Sequence, residues 1–357
     1  MKSHLLFVAA VFAASVATPI ESFTQERPMH MMTARLPIEG KVPSLGGAIT
    51  WLNSQPLMPE ALRGKVVLVD FWTYTCINWQ RTEPYVRAWA EKYKDQGLVV
   101  IGVHTPEFEF EKNVDNIGAA LKMFGIAYPV VVDSDYRVWD AFGNRYWPAE
   151  YVVDANGNIR YHQYGEGEYE RTEAVIRQLL RDAGYSGMGN DAVQVDARGS
   201  EVAADWENLR SAESYLGRNK SQGFVSPGGS VVGKSRTYAA PQSFRLNQWA
   251  LSGDWTVTGG AVALDKANGR IVYRFHARDL HLVMGPSSRG SSVRFRVLLE
   301  GRPPGDAHGT DVDERGYGTV TGQRLYQLIR QPKPIADRLF EIEFLDPGVE
   351  AYVFTFG

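Results

Sequence analysis

Apolar residues fall into short, regularly spaced runs along the first half of the chain. Val66–Trp72 and Leu98–Val103 are almost continuously apolar, which is typical of central parallel strands buried on both faces. The strands predicted from such runs cover residues 66–72, 98–103, 128–132, 151–153 and 159–164. Helices are predicted from just beyond residue 76 to about 95 and over 111–124, 135–142 and 168–182. This alternation predicts an α/β domain with a mixed sheet over residues 36–184.

The pattern changes after residue 184. Residues 185–223 are rich in Gly, Asn and Ser and contain one amphipathic stretch at about 201–215, so we predict a linker with a short helix. Residues 224–357 contain short strand-like runs separated by clusters of Gly, Pro, Asp and Ser. These runs cover residues 244–248, 255–257, 271–276, 281–284, 293–299, 324–329, 339–344 and 351–356. Many short strands without a long helix predict an all-β sandwich or jelly roll.

The amino-terminal residues have the pattern of a secretory signal. Lys2 precedes the uncharged apolar run Leu5–Val16, and small residues follow at Ser15–Ala17. We therefore predict a signal peptide at 1–17 and a flexible leader at 18–35. The apolar run is shorter than the about 20 residues that a membrane-spanning helix needs. Secretion or export to a periplasm is expected without stable membrane insertion, and an uncleaved membrane anchor is the alternative.

Composition narrows the function classes further. The 357 residues carry a formal net charge of −3, so nothing indicates a nucleic-acid partner. The sequence lacks the H-E-x-x-H and G-x-S-x-G motifs and a glycine loop that would cradle phosphate. No cofactor and no metal site are predicted.

Cys76 is the only cysteine in the chain, so no intramolecular disulfide can form. It follows a predicted strand and should begin a helix, whose N-terminal N–H groups favour a thiolate with a lowered pKa. Asp70 places a carboxylate in that otherwise apolar strand, where burial without a partner is costly. His104 ends the neighbouring strand and is a candidate acid–base partner of the thiol. Glu107 is a weaker candidate in the same loop.

The segment Val69–Trp72 followed by Cys76 resembles the active-site strand of thioredoxins. Pro84 resembles the proline that kinks their active-site helix, and Tyr146–Ala149 resembles their cis-proline loop. Longer strings, among them TYTCIN, GVHTPEFEFEKNVDN and GTVTGQRLYQLIR, are similar to the C-terminal extracytoplasmic portion of DipZ-type thiol–disulfide interchange proteins of cytochrome c biogenesis. The resemblance covers most of residues 36–357. It departs from the family at Trp79, where the C-x-x-C motif would have its second cysteine.

The resemblance implies a thioredoxin fold followed by a β-sandwich like a carbohydrate-binding module. It also implies a cis bond at Pro148 and a loop in which Trp147 offers its backbone to an extended peptide beside the nucleophile. Together with Trp72 and Trp79, these residues are the candidate substrate-binding set. Trp79 either covers the active-site face with its indole or fills the space of a missing cysteine.

Two functions remain open from the sequence. The first is an exported thiol oxidoreductase whose lone cysteine attacks disulfides, small thiols or peroxides, while a redox partner protein or small thiol completes the cycle. Thr73 matches the threonine of the peroxiredoxin motif P-x-x-x-T-x-x-C, although Val69 stands in place of its proline.

The alternative is a redox-inactive binding protein. It would hold a polypeptide or a glycan in the cis-proline groove and on the β domain. Strand-borne aromatic residues usually pack inward, so core packing is the commoner fate of the aromatic candidates for a sugar-stacking face. These candidates are Trp249, Trp255, Tyr317 and Tyr326.

Overall fold

The structure is a computed structural model, and it describes residues 35–357. The predicted signal peptide and nearly all of the predicted leader lie outside this range. The chain divides into a unit at Met1–Leu36 and a compact unit at Pro37–Gly357, and the following description concerns the second unit. Within the described residues, no helix combines the length and apolarity needed to cross a bilayer.

The first half forms a mixed seven-stranded sheet flanked by helices, as the sequence predicted. Its strands are β1 (Gly40–Lys41), β2 (Thr50–Leu52), β3 (Val66–Trp72), β4 (Leu98–His104), β5 (Val130–Val132), β6 (Ala149–Val153) and β7 (Asn158–Tyr164). Its helices are α1 (Pro59–Leu62), α2 (Ile77–Tyr93), α3 (Val114–Phe124), α4 (Arg137–Ala141) and α5 (Tyr169–Asp182). The strand order is β1-β7-β6-β3-β4-β5-β2, with β3, β4 and β5 parallel.

The central strand β3 is buried at every position because the sheet is covered on both faces. Asp70 lies opposite Gly102 on β4 and opposite Glu150 on β6. Trp72 lies opposite His104 where both parallel strands end. The predicted active-site edge is therefore present.

One predicted helix is divided. In place of one helix over 111–124, the chain forms a 3-10 turn at Glu109–Lys112 and then α3. The side chain of Asn113 accepts a hydrogen bond from the backbone N–H of Asp115 at 2.9 Å. This N-cap starts a new helix after the turn.

The helix predicted within the linker is wrong. The segment has 3-10 turns at Gly199–Glu201 and Trp206–Asn208 and then the short strand β8 (Ser214–Tyr215). Leu216 is buried in the core of the β domain. Burial of this side chain and pairing with a neighbouring strand outweigh the weak helical periodicity of the segment.

The carboxyl-terminal half is an all-β domain, as predicted. Its eleven strands form one antiparallel sheet that curls around a single core. After β8 they are β9 (Ser235–Tyr238), β10 (Trp249–Val257), β11 (Val262–Leu264), β12 (Gly269–Phe275), β13 (Asp279–Pro286), β14 (Val293–Leu299), β15 (Tyr317–Val320), β16 (Arg324–Arg330), β17 (Arg338–Phe344) and β18 (Val349–Phe356). The strand predicted at 244–248 is wrong, because β10 begins only at Trp249.

Strand β10 produces the curl. Its first half pairs with β12, and its second half pairs with β9 and β11. Gly253 lies at the changeover with a φ of 95°, and a side chain there would approach the Cα of Gly269 at 2.9 Å. Glycine is therefore required where the strand bends.

The β domain packs against α2 and the loop that follows β4. Arg81 on α2 donates a hydrogen bond to the carbonyl of Phe356 at 3.0 Å. The ring of Phe110 lies 4.8 Å from the ring of Tyr352. Strand β8 pairs with β18 beside these contacts. The helix that begins at the cysteine is thus covered by a second domain.

Candidate thiol active site

Cys76 occupies the N-cap position of α2, as the sequence predicted. Its backbone N–H donates to the carbonyl of Thr73 at 3.2 Å, and its carbonyl accepts from the N–H of Gln80 at 3.0 Å. These bonds hold the residue in a tight turn between β3 and α2. The residue is half-buried.

The loop before β6 faces the thiol. The Trp147–Pro148 peptide bond is cis, as expected. The Sγ of Cys76 lies 3.7 Å from the carbonyl oxygen of Trp147 and can donate its proton to it. The indole of Trp147 donates to the carbonyl of Thr105 at 3.0 Å and packs on Trp139 with 4.3 Å between ring centroids. This loop therefore has the position that the prediction of a substrate-binding role requires.

The thiol environment differs from the expected one. Burial raises the pKa of the Cys76 thiol well above its usual value, and the charges of Glu107 and Glu213 raise it further. The backbone N–H groups of Trp79 and Asn78 act in the opposite direction but are outweighed. The expectation of a lowered pKa is wrong, because desolvation of the sulfur exceeds the effect of the helix N-terminus.

Trp72 and Trp79 are not surface residues of the site. Both side chains are fully buried, and their rings stack with 4.4 Å between centroids. Trp79 also meets Phe124 edge-on at 5.1 Å. In this arrangement neither indole can contact a docking substrate. Trp79 fills interior space, which was the second of its two predicted roles.

Asp70 is buried beneath the site. Its Oδ2 accepts a hydrogen bond from the indole Nε1 of Trp79 at 3.1 Å, and its Oδ1 has no partner among residues 35–357. Burial raises the pKa of Asp70 to about 7, although the indole bond lowers it. Burial and the charge of Asp70 raise the pKa of Glu150 to about 8. Asp70 therefore contacts Trp79 in the core, and no bond links it to the thiol in the described part of the chain.

His104 has no acid–base partner at the site. Its side chain is fully buried, it meets Trp72 edge-on at 4.8 Å and it stacks on Tyr74 at 5.6 Å. Neither ring nitrogen has a hydrogen-bond partner within the described residues. Burial lowers the pKa of His104 to about 3, so the ring is neutral. The predicted contact with the thiol is not formed.

The β domain contributes residues that sequence reasoning missed. The hydroxyl of Tyr215 donates to the carboxylate of Glu107 and lies 3.0 Å from Oε2 of Glu213. The ammonium of Lys220 lies 3.2 Å from Oε1 of Glu107 and 4.2 Å from the centroid of the Tyr215 ring. We call these four residues the interdomain network. No local sequence motif predicts this network, because three of its four members belong to a different domain from the cysteine.

The predicted sugar-stacking face is not formed as a unit. Trp249, Trp255 and Tyr326 are buried in the β-domain core, whereas Tyr317 is 45% exposed. The core packing that the sequence favoured is therefore confirmed for three of the four aromatic candidates. Within residues 35–357, no group of three His, Cys, Asp or Glu side chains is placed to hold a metal ion.

Two family models match the chain. The model described as the AhpC/TSA family matches residues 51–162. The model described as a thioredoxin-like C-terminal domain matches residues 211–357.

Curated relatives cover both halves. The chain is 38% identical over 332 residues to Protein DipZ of Mycobacterium bovis and of Mycobacterium tuberculosis, which is 91% of this chain and 44% of each relative. The chain thus spans less than half the length of these DipZ proteins. It is 33% identical to thiol-disulfide oxidoreductase YkuV of Bacillus subtilis over 40% of this chain and 95% of that protein. A solved thioredoxin-like protein in its oxidized form matches 41% of this chain and 99% of its own, with 32% identity and a TM-score of 0.38.

Proposed function

Because the chain belongs to the thioredoxin-like family of thiol–disulfide oxidoreductase type, we propose that it is an exported protein that performs thiol–disulfide exchange with Cys76 alone. A redox partner protein or a small thiol completes each cycle. The observation that carries this proposal is the position of the Cys76 sulfur at the start of α2, 3.7 Å from the Trp147 carbonyl of the cis-proline loop.

The exchange needs one attack and one external resolution. The Cys76 thiol loses its proton, and the thiolate attacks one sulfur of a disulfide. A new sulfur–sulfur bond forms with Cys76, the original disulfide bond breaks, and the other half leaves as a thiolate that takes up a proton. An external thiolate then attacks the substrate-derived sulfur of the mixed disulfide and forms a new disulfide with it. The bond to Cys76 breaks, and Cys76 leaves as a thiolate that takes up a proton. An internal resolving step is excluded because the chain has no second cysteine.

The raised pKa of the thiol bears on the rate of this chemistry. A protonated sulfur is a poor nucleophile, and its S–H can donate to the Trp147 carbonyl. A substrate that enters the cis-proline loop would take over that carbonyl. Formation of the thiolate then coincides with substrate binding in this proposal.

Export is part of the proposal and rests on the amino-terminal pattern of Lys2 and Leu5–Val16. An oxidising compartment would supply disulfides and also oxidise an unprotected thiol. Burial of the sulfur would limit such oxidation.

A second candidate is the redox-inactive binding protein. The raised pKa of Cys76 and the burial of Trp79 favour it, because both remove features of a fast dithiol enzyme. In this case the groove beside Trp147 would hold a polypeptide without covalent turnover.

One experiment separates the two candidates. The purified, reduced chain is incubated with bis(2-hydroxyethyl) disulfide at pH 8, and intact mass is followed with the Cys76→Ser variant as control. The oxidoreductase proposal expects a single adduct on Cys76 that glutathione removes, and no adduct on the variant. An unmodified Cys76 that reacts only after the chain is unfolded in urea would favour the binding protein.

A further inference from the structure

The thiol site lies at a junction between two domains. Trp147 contacts the Cys76 sulfur through its carbonyl and contacts the loop after β4 through its indole, which binds the carbonyl of Thr105. In the same loop, the ring of Phe108 lies 6.4 Å from the ring of Tyr215 on β8. The path from the sulfur to the β domain is therefore short and continuous.

The interdomain network places charged side chains from both domains at this junction. Glu107 comes from the loop after β4, whereas Glu213, Tyr215 and Lys220 come from the segment around β8. The Tyr215 hydroxyl lies between the two carboxylates, within hydrogen-bond distance of both. Both carboxylates act on the Cys76 sulfur, and both disfavour its negative form.

The balance of charge in the network is negative. The side chain of Lys220 is 60% exposed and makes its ion pair with Glu107, whose side chain is only 13% exposed. Within the described residues, Glu213 makes no ion pair within 4 Å, and its Oε2 lies 3.0 Å from the Tyr215 hydroxyl oxygen. One cation thus faces two carboxylates. Burial and the nearby charge of Glu107 raise the pKa of Glu213 to about 7, so Glu213 is mainly ionised at pH 8.

We propose that Glu107 and Glu213, held together by Tyr215, determine which reactants Cys76 accepts, so that disulfides carrying positive charge react faster than disulfides carrying negative charge. This inference rests on the proposed thiol–disulfide exchange and names the substrate class of the same site. A positive group beside the attacked sulfur is attracted by the carboxylates and offsets their effect on the forming thiolate. A negative group is repelled by the carboxylates and adds to their unfavourable effect on the forming thiolate. Glu213 and Lys220 are specificity residues, and Tyr215 is a positioning residue.

The test compares two probes of opposite charge on the full chain. Cystamine carries two ammonium groups, and 3,3′-dithiodipropionate carries two carboxylates. In each case the Cys76 thiolate forms a mixed disulfide and releases one half of the probe as a thiol. Second-order rate constants are measured by intact mass at pH 8 and low ionic strength. The quantity of interest is the cystamine rate divided by the dithiodipropionate rate, from which the thiolate fraction of Cys76 cancels.

The variants are expected to move this ratio in opposite directions. Glu213→Gln lowers it about three- to tenfold, because one attractive charge is removed. Lys220→Gln raises it by a similar factor, because the opposing cation is removed. Glu213→Asp stays near wild type, and Tyr215→Phe lowers the ratio in part. Glu109→Gln is the matched control, since Glu109 is exposed in the same loop and pairs with Lys112, and it leaves the ratio unchanged.

The salt dependence adds a second readout, because 0.5 M NaCl should reduce the wild-type ratio by screening. The proposal is overturned if Glu213→Gln and Lys220→Gln leave the ratio unchanged or shift it in the same direction. Equal loss of both rates in Glu213→Gln also overturns it, since that result indicates displacement of the thiol. A failure of the proposed thiol–disulfide exchange itself would give another result. In that case neither probe would modify the folded wild type, although both would modify the chain in urea.

Discussion

The indole Nε1 of Trp79 donates a hydrogen bond to Oδ2 of Asp70 at 3.1 Å, and both side chains are fully buried. Trp79 occupies the position where C-x-x-C would have its second cysteine. The bond gives a buried carboxylate a hydrogen-bond donor, and the indole stacks against Trp72. A position that would serve redox chemistry in a dithiol protein is here part of the core.

We predict that Trp79→Cys is strongly destabilising although it completes a C-x-x-C motif. Removing a fully buried indole leaves a cavity and deprives Asp70 of its donor, with an expected loss of about 3–5 kcal/mol in the free energy of unfolding. Urea unfolding of the reduced proteins measures this loss. The control is Trp206→Cys, because Trp206 is 62% exposed and should change stability by less than about 1 kcal/mol. A near-neutral Trp79→Cys would contradict the buried indole.

The Asp70 carboxylate predicts a dependence of stability on pH. Its pKa is raised from its ordinary value to about 7 in the folded chain, so the folded state binds more protons than the unfolded state between about pH 4 and 7. The contribution of this carboxyl group to the free energy of unfolding is therefore largest below about pH 4 and is lost as the pH rises through 7. Asp70→Asn keeps an acceptor for the indole and removes the titration.

The difference in unfolding free energy between pH 5 and pH 8 should therefore shrink by about 1–3 kcal/mol in Asp70→Asn. Glu170→Gln, at an exposed position on α5, serves as the control. An unchanged slope in Asp70→Asn would show that this carboxylate does not titrate in the range given by its burial.

We predict that replacing Arg81 lowers stability, because Arg81 makes two buried contacts, one of them with the β domain. Its side chain is buried, pairs with Glu166 at 2.8 Å and donates to the Phe356 carbonyl at 3.0 Å. Arg81→Met leaves a mostly buried carboxylate without its cation and a carbonyl without its donor, so the unfolding free energy should fall by about 2–4 kcal/mol. Lys94→Met is the control, because Lys94 pairs with Glu91 at the surface, where such pairs contribute about 0–1 kcal/mol. Equal effects of the two variants would argue against the buried position and the buried contacts of Arg81.

Burial of the Cys76 thiol predicts slow alkylation of the folded protein. Because its pKa lies well above the usual value, iodoacetamide at pH 7.5 should modify the folded chain at least about tenfold more slowly than the urea-unfolded chain. The folded rate should still rise at pH 9.5, where the unfolded rate has levelled off. Intact mass measures both rates. Fast alkylation of the folded chain at pH 7 would restore the original expectation of a lowered pKa.

Much of the site's location could be predicted from local sequence. The apolar run ending at Trp72 and the start of α2 after Cys76 depend on neighbouring residues, and the structure has both of them. The cis bond before Pro148, which the resemblance to thioredoxins implied, is also present. His104 was placed correctly at the end of its strand. Its role was predicted wrongly, because its ring turns into a pocket between Trp72 and Tyr74.

The sequence by itself determined the order of the elements and the position of the lone sulfur at the junction of a strand and a helix, since hydrophobic periodicity and turn residues act over a few positions along the chain. The tertiary structure decided the acidity of that sulfur and its surroundings. Burial of the sulfur and the charges of Glu107 and Glu213 act through space, and residues far apart in the chain become neighbours only once the chain has folded.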